Sequence, residues 1–92
     1  MIVRILGDGQ FKLDNKLIHR LNKIDNEIVD HLAKDDQVEF RKDLHSLISA
    51  VKEQGEPLDP VDLIQSDLII PPEDLSFEEA KKIFSGKGII ED

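Results

Sequence analysis

Three histidines are the residues best suited to acid–base work or metal binding in this 92-residue chain. His19 and His31 stand twelve residues apart on a predicted helix, about 120° around its axis, so they do not form the one-turn ligand pair a metal favours. Folding two predicted helices back about Lys34–Asp35 brings His45 level with Ile24 and Asp25. An Asp25–His45 hydrogen bond could then orient the imidazole, although a surface ion pair or a histidine at the rim of a helix seam satisfies the same pattern. No serine lies in a G-x-S-x-G elbow, and there is no cysteine. Thiol nucleophiles, iron–sulfur clusters, cysteine-based zinc fingers and disulfides are thereby excluded. Asp59, Asp62 and Asp67 could surround a cation, yet the D-x-[DN]-x-[DN]-G calcium-loop spacing is missing. No catalytic residue, cofactor site or metal ligand is assigned. The chain reads as non-enzymatic, with small-molecule or metal binding in the acidic 59–67 loop as the alternative.

The composition narrows the partners. Twelve Lys and Arg against twenty Asp and Glu give a net charge of −8, which repels nucleic-acid phosphates and anionic membranes alike. Neither Tyr nor Trp is present to stack on bases. Met1-Ile2-Val3-Arg4-Ile5-Leu6 is too short an apolar run for a signal-peptide core, and no run approaches the roughly 20 residues that cross a bilayer. A single cytoplasmic domain spanning residues 1–92 is expected, with no nucleic-acid partner and no membrane insertion.

The elements follow from periodicity. Residues 2–6 and 10–13 read as strands around Gly7-Asp8-Gly9, which is a turn because it is too short, and followed by a strand, to cradle phosphate. Asp14 or Asn15 caps a helix whose apolar stripe is Leu17, Leu21, Ile24, Ile28 and Leu32, broadened by Ile18 and Val29. Asp36 and Glu39 form a capping pair for a second helix, with Phe40, Leu44, Leu47, Ile48 and Val51 on its inner face. Gly55 ends that helix and Pro57 prevents continuation. Residues 56–65 look turn-like. Leu68-Ile69-Ile70 is a strand stopped by Pro71-Pro72, placed at a sheet edge because proline donates no ladder hydrogen bond. Ser76-Phe77-Glu78-Glu79 is a capping box for a last helix over residues 77–85, with Gly86 after it and a short extension at Gly88-Ile89-Ile90. The fold class is α+β: an N-terminal hairpin joined by a strand near 67–70, packed against an antiparallel helical hairpin and a short C-terminal helix.

The opening MIVRILGDGQF, the acidic-capped helix pair and the stretch SDLIIPPEDLSFEEAKKIFSGKGII together resemble the PspA-associated protein family, PspAA. Lys87 departs from the pattern, since the family more often carries an acidic residue there. The resemblance covers nearly the whole chain and brings no catalytic residues. It implies a small accessory protein that associates with PspA, a coiled-coil protein of phage-shock-type membrane stress.

An interaction module is therefore expected, its acidic surface meeting basic stripes on a PspA-like partner. The local candidate for partner contact is Ile69, Ile70, Pro71 and Pro72. An edge strand can accept a partner strand, and prolines can present an apolar ridge. The competing reading is a strand terminator that locks the crossover to the last helix. The wide helix stripes also allow a homo-oligomer interface.

Overall fold

A computed structural model describes residues 1–61 and 64–84. Asp62 and the tail from Ser85, including Gly86 and the extension expected at Gly88–Ile90, lie outside the described residues. Strands β1 (Ile2–Ile5) and β2 (Gly9–Lys12) form an antiparallel hairpin in which Ile5 pairs with Gly9. Gly7 and Gly9 both adopt positive φ, at 93° and 95°, the left-handed backbone that a short turn needs and side chains resist.

A 3₁₀ turn at Asn15–Leu17 leads into helix α1 (Ile18–Ala33), and the Asp14 carboxylate accepts the Lys16 amide at 2.9 Å. Asp35 then reverses the chain with a φ of 55°, which a short polar side chain tolerates. Helix α2 (Gln37–Gln54) starts on Asp36, whose carboxylate accepts the Glu39 amide at 3.1 Å. At its end Gly55 is extended rather than left-handed. Its role is close approach: a Cβ there would lie 2.5 Å from the Val51 carbonyl oxygen and 3.0 Å from both Leu13 and Phe11 side-chain carbons.

Sequence reading missed one strand. Glu56–Pro57, expected as turn, forms a two-residue strand β3 antiparallel to β2, with Pro57 opposite Phe11 and Glu56 opposite Lys12. The residues after it return across the sheet to β4 (Leu68–Ile70), which runs parallel to β1 with Val3 opposite Leu68 and Ile5 opposite Ile70. The sheet order is β3-β2-β1-β4, so β4 is an edge strand, as the prolines after it require. Helix α3 (Phe77–Ile83) carries the expected cap: Ser76 Oγ accepts the Glu79 amide and donates to the Glu79 carboxylate, both at 3.1 Å.

One hydrophobic cluster joins these layers. Val3, Ile5, Leu68 and Ile70 point inward from the parallel pair β1 and β4 and join one cluster with Leu21 and Ile28 of α1 and Leu44, Leu47 and Val51 of α2. Phe40 packs edge-to-face with Phe77 at a ring separation of 5.7 Å, joining α3 to the helical hairpin. The expected α2 face is buried throughout. On α1 the expected Leu21, Ile28 and Leu32 are buried and Ile24 packs half-buried against the core, while Asp25, not expected inside, is fully enclosed.

Candidate interaction surface

Two-residue alternation along β4 gives the four candidate residues different surroundings. Ile69 stands outward and is 53% exposed, whereas Ile70 is wholly buried. Pro71 is buried and Pro72 half-buried. Ile69 sits opposite Arg4 on β1, and Arg4 in turn sits opposite Gln10 on β2, so these three share the outer face of the sheet. Leu6 continues that face from β1 and is exposed.

The loop after β3 crosses the same face and is anchored through Gln10. The Gln10 amide nitrogen donates to the Ile64 carbonyl at 2.6 Å and to Ser66 Oγ at 2.8 Å, and the Gln10 carbonyl accepts the Leu58 amide at 2.9 Å. Gln10 is accordingly buried although it lies on the outer side. Between this loop and the hairpin turn is a cleft of about 140 Å³, lined by Arg4, Asp8, Gly9, Gln10, Leu58 and Asp59 among others. Asp8 is held by Lys52 at 3.1 Å, and the Asp59 carboxylate accepts the Val61 amide at 3.0 Å. Asp67, expected with Asp59 in a cation loop, instead accepts the Ile2 amide at 2.7 Å. Among the described residues no group of three or more His, Asp or Glu converges in a way that could hold a metal ion.

Beyond the prolines, Glu73 ties the crossover to α2. Its carboxylate pairs with His45 Nδ1, and its carbonyl accepts the Arg41 guanidinium at 3.1 Å. The Leu75 amide closes a turn onto the Pro72 carbonyl at 3.1 Å. Pro71 and Pro72 thus begin a fixed crossover. His45 does not serve the pairing expected with Asp25: one ring nitrogen meets Glu73, and the other faces Ser49 Oγ at 3.4 Å. The His45 side chain turns toward an exposed loop that sequence reading had not placed there.

The histidine that does bridge the helices is His31, whose Nδ1 meets the Asp43 carboxylate. Asp43 is buried at the seam between α1 and α2, and His31 is half-buried beside it. The hydrogen bond to Asp43 pushes the His31 pKa above its ordinary value, helped by Asp36 and Asp30 and opposed by burial. Burial is also the main influence on Asp43, raising its pKa, with His31 opposing and Glu27 and Glu39 adding to the rise. The pair reads as a structural latch, since both groups are spent on each other.

Among the described residues no helix is long and apolar enough to cross a membrane. The family described as PspA-Associated protein, PspAA, matches residues 1–92, the whole chain. No curated protein and no solved structure matches it.

Proposed function

The chain belongs to the PspA-associated protein family, and on that premise we propose that it is a non-enzymatic module that binds a PspA-like coiled-coil protein in the response to membrane stress. The whole-chain family match is the observation that carries this reading. Two of the histidines have contacts of their own: His31 pairs with Asp43, and His45 meets Glu73 through one ring nitrogen and faces Ser49 Oγ at 3.4 Å through the other. The net charge of −8 favours a basic partner surface, which would speed and orient encounter more than tighten it.

Co-elution tests the proposal. Mixed with the PspA-like protein of its own source, the chain should move to a heavier peak in size-exclusion chromatography with light scattering. Separate elution at high micromolar concentration of both would contradict it. The same run on the chain alone reads its own oligomeric state, with concentration taken by refractive index because Trp and Tyr are missing.

The cleft between the hairpin turn and Asp59 is the observation that favours a small-ligand reading. That alternative requires a ligand-induced rise in melting temperature, since a molecule that binds only the folded chain must stabilise it. Calcium and magnesium are the first to try, and millimolar metal without effect would remove the metal version.

A further inference from the structure

Helix α2 carries His45 and Ser49 four residues apart, a spacing that sets their side chains one above the other on one face. His45 Nε2 faces Ser49 Oγ at 3.4 Å, and among the described residues this is the hydrogen bond that the Ser49 hydroxyl makes. The other ring nitrogen, Nδ1, meets the Glu73 carboxylate. Glu73 comes from the crossover after β4, and its backbone carbonyl accepts the guanidinium of Arg41, one helical turn before His45, at 3.1 Å. A hydroxyl, an imidazole and a carboxylate thus stand in line, brought together by a helix and a crossover far apart in sequence.

The protons follow from the partners. A carboxylate only accepts, so in the neutral imidazole Nδ1 carries the ring proton and Nε2 presents its lone pair to Ser49. The hydroxyl is then the donor, which is the polarity a general base needs to take its proton. The separation of 3.4 Å is long, of the kind that tightens when a reacting group is seated. His45 and Glu73 are exposed and Ser49 is half-buried, so a reagent reaches the hydroxyl directly from solvent. One part of a hydrolase site is missing among the described residues. Ser49 lies inside α2, where backbone amides are spent on carbonyls one turn earlier, so the helix offers no fixed amide donors to an oxyanion.

We propose that Ser49 is a nucleophilic modification site that takes an acyl group from an activated acyl donor, an aryl ester or a thioester, with His45 as its general base and Glu73 positioning the ring. In the step, Ser49 Oγ forms a bond to the acyl carbon, and its proton passes to His45 Nε2. The bond from that carbon to the leaving group breaks, and the leaving group departs with the bonding pair and takes the proton from His45. The serine hydroxyl and the donor thereby become an acyl-serine and a free phenol or thiol. Without an oxyanion cradle the donor must bring a good leaving group, and the alkyl ester left on Ser49 hydrolyses slowly. Ser49 is therefore modified once per chain and is not a turnover site. The inference stands apart from the PspA reading and neither needs nor alters it.

The test incubates the full chain with p-nitrophenyl acetate, quenches at intervals and locates the acetyl groups by fragmentation mass spectrometry. Ser46, exposed on the same helix beside His45, is the internal control, and lysine acetylation in the same sample normalises the reagent dose. Ser49 should be acetylated at least about tenfold faster than Ser46, and His45→Gln should bring it down to the Ser46 rate. Glu73→Gln should slow Ser49 severalfold, and Glu73→Asp should recover part of the rate because a carboxylate again fixes the ring tautomer. Circular dichroism confirms that each variant is folded before it is compared. Equal rates at Ser46 and Ser49, no acetyl group on Ser49, or a Ser49 rate that His45→Gln leaves unchanged would each overturn the proposal. An equal loss in Glu73→Gln and Glu73→Asp would overturn the positioning role of Glu73.

Discussion

Neighbouring residues Ile69 and Ile70 provide a direct perturbation of the β4 arrangement. Ile70 is fully buried against the helices, and truncation to Ala removes three buried carbons from a packed core, a change that costs about 2–5 kcal/mol. Ile69 is half-exposed on the other face, so Ile69→Ala should cost under about 1 kcal/mol. At roughly 0.05–0.15 kcal/mol per residue, a chain of this length holds about 5–14 kcal/mol in all. Ile70→Ala thus removes a large fraction of its stability. For a domain of this size each kcal/mol moves the melting temperature by about 4–8 °C, so a loss of about 3 kcal/mol lowers it by about 12–24 °C. Urea and thermal unfolding followed by far-ultraviolet circular dichroism suit a chain without Trp or Tyr. Equal losses for the two variants, or a larger loss for Ile69→Ala, would refute the assignment of inner and outer faces on which the interaction surface depends.

Other consequences are as specific. Both His31 and Asp43 have raised pKa values in the folded chain, so each favours the folded state when protonated. The His31 contribution is complete below its unfolded pKa of about 6.5 and is lost as pH rises through the higher folded value, while that of Asp43 is complete only below about 3.8 and declines above it. The urea midpoint should therefore fall between pH 6 and pH 8 more for the native chain than for His31→Gln; identical pH profiles would contradict the latch. Gly55→Ala forces a Cβ against the Val51 carbonyl and should cost about 1–3 kcal/mol by denaturant unfolding, with a neutral result showing that the approach is looser than described. Ser76→Ala removes the cap of α3 and should cost about 1 kcal/mol, with loss of amide protection in residues 77–80; unchanged hydrogen exchange there would contradict the cap.

Much of this fold was legible because its signals are local. Caps at Asp36 and Ser76 are short-range hydrogen bonds whose partners sit three residues away, and both helices begin where those residues stand. The α2 stripe and the strand at 68–70 follow from spacing alone. Local spacing could not place β3, because a two-residue strand has no period and its identity depends on Phe11 and Lys12, more than forty residues earlier. Asp25 illustrates a different limit: it is fully enclosed although charged, while Ile24 beside it packs half-buried against the core, so charge alone misdirects the reading. Likewise the partner of His45, Glu73, arrives from a crossover with no sequence periodicity. The outer face was half visible: β4 was placed at an edge, while the loop pinned by Gln10 across the sheet depends on a contact of 54 residues in sequence separation.

The central claim is binding to a PspA-like partner through complementary charge, and a titration of the purified chain against that protein at two salt concentrations tests it most directly. Saturable binding that weakens from low to physiological salt is the predicted result. No saturable binding at high micromolar concentration would contradict the partner, and an affinity indifferent to salt would contradict the electrostatic account of how the partner is met.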